Sequence, residues 1–424
     1  MSDARVSSPP FAVTSIILSM GLIAVGNGLM FAYIPVRLAA EGFAPWLAGT
    51  MITALAAGGV VGCLVTGRMV QRVGHARVFA LQAALVILSV LAIALETQPL
   101  LWAASRALYG FATTGLFIVS QSWLNDASEN HWRGKVIASF YMTYVIGIGA
   151  GAFILRYVSL DGAQGPLLSI FFTTLAILPV GLTRLRTPPP PETVSVAFRA
   201  VWRISPVGLV GLFTVGGLTM TVQGFAPIYA AAEGYTKDDI ALLMFLMQFG
   251  MIGVQYPLGA LSDRMDRRYI LIVASVIVVA GAAVASQMSG AALLWLILVF
   301  AVWSGATETI YAVANAHAND RAEPQYYVSL SSTLLVAWSI SGFVLPGLAT
   351  ALTQVVGPRA FMFVVLAVAA LYAGFVAYRL TRRERAPEPG HEPYRPISAQ
   401  APYTPELAAH PAQDDPLPSR QGAP

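Results

Sequence analysis

Residues 39–43 read Ala-Ala-Glu-Gly-Phe, and residues 231–235 read Ala-Ala-Glu-Gly-Tyr. Each pentapeptide follows a long apolar run, and the two copies lie 192 positions apart. The register extends outward from this pair. At the same offset Pro35 answers to Pro227, Gly67 to Gly259 and Arg72 to Arg264. At an offset of 194, Asn125-Asp126 answers to Asn319-Asp320 and Glu129 to Glu323. Chance does not hold one register across so many segment ends, so the chain reads as one unit written twice.

Each unit carries six apolar runs. The predicted spans are 11–36, 46–69, 77–95, 100–123, 135–158 and 165–183, then 206–230, 238–261, 269–288, 290–313, 326–352 and 356–380. Their length of roughly 20 residues is that of a helix crossing a bilayer core. Composition agrees. The 424 residues are 56% hydrophobic and 11% charged, and mean hydropathy is +0.67. A soluble domain carries about 25% charged residues. A chain so poor in charge cannot cover a water-facing surface, and its expected surroundings are the lipid bilayer. The fold class predicted is an all-α membrane protein with twelve transmembrane helices in two pseudo-symmetric six-helix bundles.

The N-terminal stretch is short and polar, and the run over 11–36 is too long for a cleaved signal peptide. It reads as the first membrane helix. The single cysteine, Cys63, lies inside a span, so no disulfide forms within the chain. The net charge of +4 needs no nucleic-acid partner, because membrane proteins keep excess Lys and Arg on the cytoplasmic side. With the N-terminus inside, 20 of the 25 basic residues fall on the cytoplasmic side. The other five are Arg37, Arg106, Arg156, Lys237 and Arg359. Both termini are therefore expected in the cytoplasm. The organisation expected is a first bundle over 1–183, a central cytoplasmic loop over 184–205, a second bundle over 206–380 and a disordered cytoplasmic tail over 381–424. Pro188 to Pro191 stand in a row in the loop, and four prolines in series cannot continue a helix.

Two loops carry more specific signals. Gly67 to Arg77 reads GRMVQRVGHAR, and Gly259 to Arg268 reads GALSDRMDRR. Both resemble the G-x-x-x-D-R-x-G-R-R/K loop signature of the major facilitator superfamily. Gln71 stands where that family has Asp, and Asp266 where it has Gly. Arg106 with Gly110 resembles the family's R-x-x-x-G pattern on the fourth helix. The stretches Ser122 to Lys135 and Ala316 to Pro324 are similar to a little-characterised bacterial branch. The resemblance covers about residues 11–380. It implies a transporter of the bacterial inner membrane whose halves are parallel repeats. It also implies that Gly67, Arg72, Gly259, Asp263 and Arg264 form a cytoplasmic gate, with close helix approach at the glycines and ion pairing at Asp263 and Arg264. Gly147 and Gly151 on the fifth helix form a small-xxx-small face, read as helix packing.

By the same resemblance the first, fourth, seventh and tenth helices line a central cavity. Polar residues on them are the candidate substrate and proton site. The tenth helix presents Ser304, Glu308, Tyr311 and Asn315 in one stripe at helical spacing. The fourth presents Arg106, Tyr109, Thr113 and Ser120. Asn27 lies on the first helix, Thr219 and Gln223 on the seventh, and Gln248 and Gln255 on the eighth. Tyr33, Tyr141, Tyr144 and Trp338 are expected in the walls. Glu308 is the carboxylate deep inside a span. Such a group costs about 2.5–3.5 kcal/mol on insertion scales and marks a functional site by default. It is expected to hold and release a proton, to bind substrate, or to be a permanently paired structural residue. Arg106 either enters the site or snorkels to the outer surface.

There is no phosphate-binding glycine loop followed by Lys, and His spacing gives no metal site. No enzyme activity, cofactor or metal is expected. The function expected is secondary transport of a small, amphipathic organic solute by alternating access, coupled to protons, working as a monomer. Export is favoured over import. A passive facilitator is the alternative, and a membrane sensor with an ordered cytoplasmic output element is a more distant one.

Overall fold

The structure, a computed structural model, describes residues 10–128, 130–183, 196–323, 326–382 and 397–400. The first half contains α1 (Pro10–Ala40), α2 (Pro45–Val73), α3 (His75–Leu95), α4 (Pro99–Ala127), α5 (Asn130–Ile154) and α6 (Gln164–Leu182). A short α7 (Phe198–Ile204) precedes the second half. That half contains α8 (Pro206–Ala232), α9 (Lys237–Ser262), α10 (Arg267–Ser286), α11 (Leu293–Asn319), α12 (Tyr327–Val356) and α13 (Ala360–Leu380). The twelve long helices fall on the twelve expected spans. Eleven are long and apolar enough to cross a membrane. The other is α4, whose polar residues from Arg106 to Ser122 lower its hydropathy.

The repeated pentapeptide is a helix-ending turn. Gly42 has φ 78° and Gly234 has φ 85°, the left-handed region that glycine adopts without strain. Gly42 N–H donates to Ala39 O and Phe43 N–H to Leu38 O, both at 3.0 Å. Gly234 and Tyr235 repeat the pattern on Ala231 O and Ala230 O. This pair of bonds is the Schellman motif, which satisfies carbonyls left over at a helix end. The glutamates tie each turn to its own bundle. Glu41 pairs with Arg37 at 2.5 Å, and Arg37 also donates to the carbonyl of Leu160. Glu233 pairs with Arg359 at 3.0 Å and accepts from Ser289 Oγ at 2.7 Å.

Helix starts follow from local chemistry. Pro45, Pro99 and Pro206 sit in the first turns of α2, α4 and α8, where a missing N–H costs nothing. Thr236 and Asp239 form a reciprocal capping box on α9.

Helix pairing obeys the repeat. In the first half α1 packs on α5 and α6, and α4 packs on α2 and α3. In the second half α8 packs on α12 and α13, and α11 on α9 and α10. Glycine permits the closest approaches. A Cβ on Gly151 would lie 1.9 Å from Val25 O, and one on Gly110 1.9 Å from Leu55 O. The small face at Gly147 and Gly151 thus packs α5 on α1, as expected. Gly67 differs: a Cβ there meets nothing within 4 Å. The close approach expected at Gly67 is not found among the described residues: α2 runs on to Val73, and this face of it meets no neighbouring helix there.

The halves meet at the end that bears the two Schellman turns, here termed the turn end. Lys237 Nζ donates to Val158 O at 2.7 Å, and Arg156 pairs with Asp238 at 3.6 Å. Phe153 packs on Phe245 with centroids 5.0 Å apart. Deeper in, Thr53 and Thr350 hydroxyls lie 3.2 Å apart. The opposite end, where α1 begins and α13 ends, is the termini end.

Two segments show structure that the sequence reading did not include. The loop expected over 184–205 includes α7, whose Val201 is buried while Trp202 packs on Phe375 of α13. Apolar side chains at 198, 201 and 202 give this turn a face to bury; Pro188 to Pro191 lie outside the described residues. In the tail expected to be disordered, residues 397–400 lie inside the protein, with Ser398 and Ala399 buried. Their polar groups are satisfied by the cavity described next.

Candidate functional site

The repeat builds the cavity between the halves. Asn27 and Phe31 on α1 stand 192 positions before Thr219 and Gln223 on α8, and all four line the same space. Pro35 and Pro227 follow one turn later inside their helices. A proline leaves the carbonyl four residues earlier without its helical partner, here those of Phe31 and Gln223. On the next pair, Thr114 of α4 stands 194 positions before Glu308 of α11. Thr114 faces the open space, and Glu308 lies beneath residues 398–399.

Glu308 is 2% exposed. Its Oε1 accepts from Thr219 Oγ1 at 3.3 Å. Its Oε2 accepts from the backbone N–H of Ala399 at 2.6 Å, and the Ser398 hydroxyl is a further partner. A glutamine relay runs beside it. Gln400 Nε2 donates to Gln248 Oε1 at 2.9 Å, and Gln248 Nε2 donates to Gln223 Oε1 at 3.2 Å. Both Gln400 and Gln223 reach the Met251 sulfur, at 3.1 and 3.5 Å. Gln255 Nε2 donates to Ile397 O at 2.6 Å. The space left beside this segment is about 130 Å³ and is walled mostly by apolar atoms. Phe31, Phe117, Met220, Met244 and Trp338 are among its walls. Asn27 donates to Tyr144 Oη at 3.3 Å, while its Oδ1 has no partner among the described residues.

Other expected residues lie elsewhere. Tyr311 and Asn315 face a small separate pocket shared with Leu212, Ser331 and Trp338. The four residues share one narrow face of α11, but from Ser304 to Asn315 they run about 16 Å along its axis, so Tyr311 and Asn315 at the stripe's far end reach a different space from Glu308. Arg106 is 1% exposed, so it does not snorkel. Its guanidinium lies 4.8 Å from the Tyr109 ring centroid and 5.5 Å from that of Phe31. Its Nε and Nη1 have no hydrogen-bond partner among the described residues. Tyr109 is buried with it, outside the open space. Tyr33 donates to Gly162 O and Tyr141 accepts from Gln121, and neither lines the open space. Tyr144 and Trp338 do.

The expected gate residues stand at the termini end. Arg72, Asp263 and Arg264 are exposed there and Gly259 is buried. A stronger contact that sequence reasoning missed is nearby. Arg267 at the start of α10 binds Asp320 at the end of α11 in a fork, at 2.7 and 3.3 Å, with both side chains buried. Arg268 binds Asp266 at 2.6 Å. In the first half the position equivalent to Arg267 is His75, which bonds the Ser122 hydroxyl at 2.9 Å. The repeated Asn-Asp pair was the available signal. No group of three or more His, Cys, Asp and Glu gathers to hold a metal ion among the described residues.

Comparison with known proteins fits this architecture. The sequence profile of the Major Facilitator Superfamily matches residues 16–238 and 208–413. An uncharacterized MFS-type transporter, YcaD of Shigella flexneri, is 24% identical over 360 residues, covering 83% of this chain and 91% of its own. YcaD of Escherichia coli O139:H28 matches to the same extent, at 24% identity over 360 residues. Among solved structures, the nucleoside transporter NupG superposes with a TM-score of 0.67 at 11% identity, over 88% of this chain and 98% of that one. The human organic anion transporter MFSD10 gives a TM-score of 0.59 at 14% identity, over 87% of this chain and 99% of that one. With the profile matched in both halves and the paired six-helix architecture in place, the chain belongs to the major facilitator superfamily and is an integral, multi-pass membrane transporter rather than an enzyme.

Proposed function

We propose that the protein moves a small organic solute by alternating access, with the solute bound between the halves and transport coupled to protons through Glu308. The observation that carries this reading is a carboxylate, 2% exposed, placed among hydrogen-bond donors at the wall of the central cavity. At such a depth a carboxylate is tolerated when hydrogen-bonded or protonated. A site that trades a proton for donor groups, as the halves rock, links solute to gradient. Gln223, Gln248 and Asn27 supply the remaining polar contacts. Aromatic and Met walls suit an amphipathic solute, on which ground we favour export.

The distribution of arginines supports a cytoplasmic termini end, in a bacterial inner membrane. The turn end, closed by Lys237, Arg156 and Phe153, is then external, and the arrangement faces inward. Gly67, Arg72, Gly259, Asp263 and Arg264 then act as a latch in the opposite state, when the termini end closes. One chain contains both halves of the cavity, and a monomer suffices.

A thermal-stability screen of the purified protein against small solutes at two pH values tests the reading. A ligand at a hundred times its Kd adds about 2.7 kcal/mol. The reading expects a stabilising solute whose effect changes with pH in the native protein and not in Glu308→Gln. A stabilising solute with the same pH response in both proteins removes Glu308 from coupling and leaves a passive facilitator.

A further inference from the structure

We infer that residues 397–400 are an intramolecular occupant of the solute site, which keeps the transporter inhibited until the segment leaves. This inference rests on the proposed site at Glu308 and adds to it a regulator and a ligand chemistry.

The contacts are those of a bound ligand. Four consecutive residues satisfy polar groups on two helices. Ile397 O takes the Gln255 amide, Ser398 and the Ala399 N–H take Glu308, and the Gln400 amide takes Gln248 and Met251. The Ala399 side chain is fully buried. Gln400 N–H donates to Ser398 Oγ at 3.1 Å, which folds the segment into a compact turn. Its direction is defined as well. Along α9, Gln248 lies seven residues nearer the turn end than Gln255, about 10 Å of helix. Residue 397 is therefore nearer the termini end and residue 400 nearer the closed end.

Its position excludes solute. A cleft that takes a drug-sized ligand measures roughly 300–1,000 Å³, and about 130 Å³ remains beside the segment. Glu308 and Gln248 cannot serve a solute while they serve residues 399 and 400. The same contacts describe what the site accepts. One backbone N–H and one hydroxyl meet a carboxylate, one carboxamide meets Gln248 and Met251, and one backbone carbonyl meets the Gln255 amide, beside a buried methyl group. The competing solute is a small neutral or cationic molecule with adjacent N–H or O–H donors and a compact apolar edge.

Cys63 is the single cysteine of the chain and lines the same space as Gln400, so it reports occupancy without any substrate. The experiment compares the rate of Cys63 labelling by a hydrophilic maleimide in three purified proteins. These are the full chain, Ala399→Pro, which removes the N–H given to Glu308, and a chain ending at Arg382. Both variants should label several-fold faster than the full chain. Equal rates in the full chain and Ala399→Pro overturn the inference, and that variant suffices if the shortened chain does not fold. Labelling needs no solute, so equal rates leave the transport site standing. Conversely, a solute screen that fails on a shortened chain with fast-labelling Cys63 counts against the transport site and not against the occupant.

Discussion

The backbone N–H of Ala399 lies 2.6 Å from Oε2 of Glu308, 91 positions earlier in the chain. A tail residue thus donates to the one carboxylate that reaches the cavity from α11. Hydrogen bonds to an ionised acceptor are about twice as strong as neutral ones. Charge on Glu308 and seating of the tail are therefore linked.

That linkage gives the first prediction. Glu308→Gln keeps the side chain's size and one acceptor oxygen but removes the charge. The tail should leave more often, and Cys63 should label faster than in the native protein while the fold persists. An unchanged rate in a well-folded variant would mean that the carboxylate does not hold the tail.

The fork between Arg267 and Asp320 is buried on both sides. Removing one partner of such a pair costs about 3–5 kcal/mol, because the other charge stays buried without it. Asp320→Asn should lower the midpoint of thermal unfolding markedly. Arg267→Met with Asp320→Leu should recover most of the loss, since an apolar pair avoids the desolvation cost. A calorimetric scan of the two variants checks this. A double variant no better than the single one would contradict it.

Glycines at helix crossings should differ sharply from Gly67. Gly110→Ala puts a methyl group 1.9 Å from Leu55 O, where backbone must move. Overpacking of this kind costs typically 1–3 kcal/mol. Gly67→Ala meets open space and should leave the unfolding midpoint unchanged or slightly raised, as alanine favours helix. Equal losses at the two positions would show that the α2–α4 crossing is not tight.

Acid should loosen the turn at Glu233 in the second half. Burial alone would raise the Glu233 carboxyl, but the Ser289 hydroxyl and the Arg359 guanidinium outweigh it and hold the group below its usual range. A carboxyl depressed on folding stabilises the folded state above its unfolded value, about 4.3. That contribution disappears as pH falls through the lower folded value. The native protein should exceed Glu233→Gln in thermal stability at neutral pH, and the gap should close below about pH 4.3. A gap independent of pH would assign the effect to packing.

Much of this architecture is legible in the sequence, for physical reasons. A bilayer demands long apolar helices, so twelve spans stand out. A Schellman turn needs glycine at positive φ, so Gly42 and Gly234 mark the repeat. Glu308, Gln223 and Gln248 were found because a polar group inside an apolar run is conspicuous. What escaped was anything polar meeting polar. Ile-Ser-Ala-Gln in a Pro-rich tail has no hydrophobic period, and its complementarity to Glu308 and Gln248 exists only in space. Arg267 sits in an arginine-rich loop, where positive charge already had a topological explanation, so its pairing with Asp320 went unread. Tyr311 and Asn315 share a narrow helical face with Glu308, but they lie further along the helix axis, and helical spacing shows the shared face without showing where a cavity ends.

The central claim is gradient coupling through Glu308, and reconstituted vesicles test it most directly once a stabilising solute is in hand. The measurement is accumulation of that solute against an imposed pH gradient, beside exchange of labelled for unlabelled solute without a gradient. The account predicts that Glu308→Gln abolishes accumulation and keeps exchange. Accumulation by Glu308→Gln equal to that of the native protein would contradict it.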